Sequence, residues 1–199
     1  MHRRLTETRV VIASHNPGKL PELAALLAAY GIDGIAVGTF TTDEPEETGA
    51  TFIENAEIKA RAAAEASGMV AFADDSGITV DALDGFPGLV TARFAPTWED
   101  KREEVERRLA GKSDRRAAYN SALTLAWPDG HCESFSGRAP GRLVWPPRGD
   151  HPSFDPVFLP EGYDQTYAEL GQDLKARIDA RARAFAALAA ACLTRGESA

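Results

Sequence analysis

Short apolar runs alternate with stretches at helical spacing over the first half of the chain. Arg9–Ser14 reads as a buried strand, and Gly18–Tyr30 follows as a helix, with Leu20, Leu23, Leu26 and Leu27 on one face and Gly31 as its stop. Ile32–Val37 has the length and polarity of a second strand, and the acidic segment Thr41–Thr48 that of a loop. Thr51–Ser67 is Ala-rich and ends at Gly68, which predicts a second helix. Val70–Ala73 and Ile78–Leu83 are expected as two strands around an acidic turn, with Asp84–Gly88 as a loop. Trp98–Leu109 is a charged helix, and Arg115–Trp127 and Cys132–Val144 form a long antiparallel pair turned at Pro128–Asp129–Gly130. Trp145–Pro160 is a Pro- and Gly-rich loop, and Gln172–Leu193 closes the chain as one Ala-rich helix. The alternation predicts an α/β fold on a mixed sheet.

Composition narrows the function. A chain of 199 residues, 44% hydrophobic, supports one compact protein and is too short for two large independent domains. Its net charge of −8 argues against a nucleic-acid polymer as partner, because phosphate backbones call for a cationic stripe; a small anion needs only a few local cations. Cys132 and Cys192 suggest neither a disulfide framework nor a zinc site, and the histidines, His2, His15, His131 and His151, stand singly. No signal-peptide core or membrane span is legible, so the cytoplasm is the expected location.

Chemistry concentrates in a few segments. Ala73–Asp74–Asp75–Ser76–Gly77 closes an apolar run, and adjacent buried acids are costly unless a cation meets them. Ser14–His15–Asn16–Pro17–Gly18–Lys19 places backbone N–H groups and a lysine where a strand feeds a helix, a site suited to an anion. The glycine spacing there fits neither a P-loop nor a dinucleotide fingerprint. Further segments are Glu46–Phe52, Glu54–Ala56, Lys59–Ala60, Gly85–Gly88, Thr91–Arg93, Phe154–Phe158 and Thr166–Leu170.

In order and spacing these segments closely resemble the inosine/xanthosine triphosphate pyrophosphatase family, from about Val10 to about Leu188. The resemblance implies one domain over residues 1–199, with an elongated mixed sheet flanked by helices, two lobes, a central active-site cleft and a homodimer. It implies magnesium-dependent hydrolysis of ITP, dITP and XTP to monophosphate and pyrophosphate, which sanitises the nucleotide pool. Asp75 and Glu47 match the metal-binding acids, with Asp75 orienting or deprotonating the water and Asp74 able to substitute in part. Lys19 and Lys59 match phosphate-contacting lysines, and Ser14, Asn16 and Ser76 match polar positions beside them. Each has a plainer reading: a turn cap for Asp75, a solvated acid for Glu47, solvated charges for the lysines. Arg93 divides equally between a functional and a structural reading.

The base-recognition end departs from the family pattern. Where relatives carry Phe-Gly-Tyr-Asp-Pro or Phe-Gly-Trp-Asp-Pro, this chain has Pro152–Ser153–Phe154–Asp155–Pro156, which keeps one aromatic and the acid but loses the expected stacking ring. Lys175 and Arg181 are retained, whereas Asp179 and Ala180 stand where the pattern has Ser and His. Asp179 is expected either to accept from an exocyclic amino group and shift base preference, or simply to cap or face solvent while base selectivity is weakened. A related pyrophosphatase with shifted base specificity, and a nucleotide-binding module without turnover, are the competing functions.

Overall fold

The computed structural model describes residues 2–194. In chain order it has β1 (Arg9–Ile12), α1 (Lys19–Ala28), β2 (Asp33–Ala36), α2 (Phe52–Ser67), β3 (Ala71–Val80), α3 (Trp98–Leu109), β4 (Arg116–Ala126), β5 (Cys132–Leu143), β6 (Phe158–Pro160), α4 (Tyr167–Leu170), α5 (Gln172–Ile178) and α6 (Ala180–Cys192). The strands form one sheet in the order β2-β1-β3-β4-β5-β6. β1 pairs in parallel with β2 and β3, and β5 pairs antiparallel with β6, so the sheet is mixed, as expected for an α/β chain.

The chain divides into two compact units. One takes in the chain up to Asp75, Ala122–Ser136 and the segment from Ala184; the other takes in Ser76–Ser121 and Gly137–Arg183. In the first, β1 is apolar on both faces. Val10 and Ile12 pack with Leu23 and Leu27 of α1 and Phe185 and Leu188 of α6, while Val11 and Ala13 pack with Ala60, Ala63 and Ala64 of α2. This is the pattern of a strand covered by helices on both sides. Thr51 caps α2 by accepting from the Glu54 N–H, and Gly68 ends it with φ +66°, a left-handed conformation that suits glycine. In the second unit, Ile78, Val80, Val105, Leu109, Phe154, Phe158 and Tyr167 form the core, and α3 opens on a Thr97–Asp100 capping box.

Three sequence expectations need correction. β3 runs unbroken through Asp74 and Asp75, so the acids sit inside one strand and not in a turn between two. Salt bridges meet both carboxylates, which removes the need to expose them. The final helix breaks at Asp179, which is extended (ψ 176°) and whose Oδ1 accepts from the Ala182 N–H at 2.8 Å, capping α6. The Trp145–Pro160 stretch is not wholly loop: a 3-10 turn at Asp155–Val157 leads into β6. Among the described residues no helix is long and apolar enough to cross a membrane.

Candidate active site

Charged side chains converge around the middle of β3 within the first unit. At the end of β1 the chain turns through a loop stitched by its own side chains: the Asn16 N–H donates to Ser14 Oγ (3.2 Å), and the Gly18 N–H donates to Asn16 Oδ1 (2.9 Å). That turn delivers Lys19, whose Nζ donates to Asp74 Oδ2 at 2.7 Å. From α2, Lys59 Nζ bridges two acids, Glu47 Oε1 and Asp75 Oδ1, each at 2.8 Å.

Glu47 reaches Lys59 because its loop is docked on the first turn of α2. The Gly49 N–H donates to Asn55 Oδ1 (2.8 Å), and the Ala50 N–H donates to Glu54 Oε2 (2.6 Å). A Cβ on Gly49 would lie 2.7 Å from Asn55 Oδ1, so only glycine allows this approach. Asn55 is fully buried, and its amide also reaches Asp75 Oδ2 at 3.4 Å, a long contact.

Three carboxylates, Glu47, Asp74 and Asp75, gather with the ammonium groups of Lys19 and Lys59. Asp74 is 3% exposed and Asp75 is 7% exposed. Burial pushes the Asp75 carboxyl above its ordinary range, and Glu47 adds to this while Lys59 and Lys19 pull against it. Burial works against the Lys59 ammonium, but Asp75 and then Glu47 outweigh it and hold its pKa above the usual lysine value. Lys59 is therefore a charged clamp between two acids. Among the described residues no cluster of three His, Cys, Asp or Glu side chains could hold a metal alone. The oxygen donors of Glu47 and Asp75 nevertheless suit a hard dication that completes its sphere with water and phosphate oxygens.

A second constellation lies within the other unit. Asp155 is fully buried, and its carboxylate accepts from Lys175 Nζ (2.6 Å) and from the Tyr119 hydroxyl (2.8 Å). The Lys175 ammonium also lies 5.8 Å from the Tyr119 ring centroid and 5.7 Å from that of Tyr167. Burial, then the Asp155 charge, pushes the Tyr119 phenol well above its ordinary range, so it remains a donor. Phe154 is 1% exposed, with Phe94 stacked against it at 6.5 Å and Trp98 meeting it edge-on at 6.1 Å.

The structure thus brings Ser14, Asn16, Lys19, Glu47, Lys59, Asp74 and Asp75 together in the first unit. Asp155 and Lys175 are in direct contact in the second unit, with Phe154 adjacent in sequence. Ser76 follows Asp75 in β3 and is half-buried, and Arg181 is half-buried in the first turn of α6. Arg93 is exposed, whereas its neighbour Thr91 is buried and its Oγ1 accepts from the Ile78 N–H at 3.0 Å. The Thr91 hydroxyl ties that segment to β3. Sequence reasoning assigned no role to Asn55, although it lies in a singled-out segment, and missed Tyr119. A buried Asn early in an Ala-rich helix was the one legible signal, since an amide facing a core needs partners.

The model of the Ham1 family matches residues 10–191. The chain is 51% identical over 197 residues to a dITP/XTP pyrophosphatase of Rhodospirillum centenum, covering 96% of this chain and 97% of the relative. It is 48% identical over 208 residues to a dITP/XTP pyrophosphatase of Bradyrhizobium sp., with 96% and 97% covered. Among solved structures, a HAM1 protein from Coxiella burnetii superposes with a TM-score of 0.85 at 35% identity, covering 92% of this chain and 96% of that one. A nucleoside-triphosphatase, dITP/XTP pyrophosphatase, from Mycobacterium abscessus gives a TM-score of 0.77 at 35% identity, with 90% and 98% covered.

Proposed function

This chain belongs to the Ham1 family, and from that premise we propose that it hydrolyses non-canonical purine nucleoside triphosphates, ITP, dITP and XTP, to the monophosphate and pyrophosphate. The observation that carries the reading is the Lys59 ammonium shared by Glu47 and Asp75, beside the Lys19–Asp74 pair. Acids drawn together at the middle of a buried strand, each reached by a lysine, fit work on a metal-bound triphosphate better than a structural role, because gathering like charges out of water costs stability.

In this mechanism Lys19 and Lys59 exchange part of their carboxylate contacts for phosphate oxygens when substrate binds. Ser14 and Asn16 hold the turn that carries Lys19. Glu47 and Asp75 would hold magnesium, which when bound would supply charge neutralisation for the departing pyrophosphate and a more acidic water. Asp75 orients the attacking water at the α-phosphorus and takes its proton, with Asp74 held on Lys19. Ser76 stands beside this acid in β3 as a further phosphate contact.

Asp155, Lys175 and Arg181 serve the base. Phe154 is covered by Phe94 and Trp98 and braces that segment from behind. The enzyme acts as one domain over residues 1–199, as a cytoplasmic homodimer; light scattering on the purified protein tests the dimer.

A shifted base preference is the second reading, motivated by Pro152 and Ala180. The Asp179 cap on α6 lowers the weight of that residue as a base reader, because an Asp at this place fulfils the role a Ser would. Purified protein with magnesium and a panel of ITP, XTP, GTP, ATP and their deoxy forms tests both readings. Monophosphate and pyrophosphate from ITP, dITP and XTP ahead of the rest is the expected result. A different ranking supports shifted specificity, and saturable binding without turnover of any nucleotide refutes catalysis.

A further inference from the structure

The segment just before Phe154 is held more tightly than a surface connection requires. The Ser153 N–H donates to the His151 carbonyl (2.9 Å), and the Asp155 N–H donates to Ser153 Oγ (2.9 Å). From α3, Arg102 Nη1 donates to the His151 carbonyl (3.2 Å) and the Ser153 carbonyl (2.8 Å). The His151 ring is fixed on one side only. Its Nδ1 lies 2.8 Å from Ser153 Oγ and 3.3 Å from Asp155 Oδ2, while no partner meets Nε2 among the described residues. The side chain is 32% exposed.

The chemistry of the free nitrogen follows from the held one. In the neutral ring a carboxylate facing Nδ1 favours the proton on that nitrogen, which leaves a lone pair on Nε2. Asp155 is the same carboxylate that takes Lys175 and Tyr119, so the imidazole is mounted on the buried acid of the second constellation. An acceptor at this place meets a distinction among purines. A 6-oxopurine such as hypoxanthine or xanthine carries a hydrogen on N1 and donates, whereas adenine N1 has a lone pair and repels another acceptor.

We propose that His151 is a base-reading residue: its Nε2 accepts from the N1–H of a 6-oxopurine and thereby selects against adenine nucleotides. This rests on the nucleotide-hydrolysing reading above and adds to it a residue that no segment of the family resemblance includes. Arg102 is the positioning residue that holds the backbone of the reader.

The test compares wild type, His151→Ala and His151→Gln on ITP, ATP and 1-methylinosine triphosphate, which lacks the N1 hydrogen, with pyrophosphate release as the readout and circular dichroism as the check on folding. One lost hydrogen bond, with the repulsion of adenine relieved, lowers the ITP-to-ATP ratio of kcat/KM by about ten-fold or more in His151→Ala. Gln keeps an acceptor and restores part of the ratio. Wild type discriminates against 1-methylinosine triphosphate relative to ITP, and His151→Ala does so less. Should His151→Ala fail to fold, the wild-type penalty on the methylated nucleotide and the Gln variant decide the matter. Pyrophosphate release with an unchanged ratio in His151→Ala, or no methyl penalty in wild type, overturns this assignment alone. No pyrophosphate from any nucleotide with wild type overturns the underlying reading, and this one with it.

Discussion

Replacing Lys59 by Met removes the cation between Glu47 and Asp75 while keeping an unbranched, apolar stem. The two carboxylate oxygens each lie 2.8 Å from Nζ, so they stand within about 5.6 Å of each other, and at an effective dielectric of about 20 their repulsion is about 3 kcal/mol. Breaking a buried ion pair by deleting one partner costs about 3–5 kcal/mol in general, in line with that figure. For a chain of this length such a loss lowers the melting temperature by about 6–20 °C.

The assay is thermal and urea unfolding of wild type and Lys59→Met in chelator, repeated between pH 8 and pH 5. Burial and Glu47 already raise the Asp75 pKa, and losing Lys59 raises it further. A carboxyl raised in the folded state costs stability above that pKa and is relieved as pH falls through it. The deficit of the variant therefore shrinks toward pH 5. Under the proposed function, magnesium in place of the chelator should narrow the gap by binding the doubly negative site of the variant. A deficit below about 1 kcal/mol, or one that does not shrink on acidification, refutes the claim that Lys59 compensates a buried acid pair.

Other perturbations probe separate parts of the molecule. Asp179→Ala should cost about 1 kcal/mol through loss of the α6 cap, whereas Asp179→Ser should stay within about 0.5 kcal/mol of wild type; equal losses in both would count against the capping role. Among the described residues no partner meets the buried Tyr167 hydroxyl, so Tyr167→Phe should raise stability by about 1 kcal/mol or more; a fall in melting temperature would contradict this. Burial works to raise the Glu133 carboxyl, yet the Arg3 N–H and the His2 and His131 rings outweigh it and bring its pKa down to about 2. A lowered carboxyl stabilises the fold above its unfolded value near 4.5 and loses that contribution as pH falls toward 2. Glu133→Gln should flatten the acid limb of stability over that window; a limb as steep as that of wild type would contradict this.

The sequence by itself determined the elements and much of the chemistry. Strict helical spacing in α1, the Ala face and Gly68 stop of α2, and the Pro–Asp–Gly turn between β4 and β5 are local patterns, and local physics realised them. The acids and lysines of the first unit were legible as residue types, because adjacent carboxylates in an apolar run demand cations.

Which lysine serves which acid was a matter of tertiary structure. Asp74 and Asp75 point to opposite faces of β3, as successive strand residues must, and only the packing of α1 and α2 decided that Lys19 meets the first and Lys59 the second. The same holds for the breaks in regular structure. Nothing in the composition of Gln172–Leu193 separates Asp179 from a mid-helix acid, but its carboxylate could cap α6 only once the chain had turned there. Tyr119, Lys175 and His151 are far apart or unremarkable in the chain, and they became one network because a single buried carboxylate, Asp155, had to find its partners within the fold.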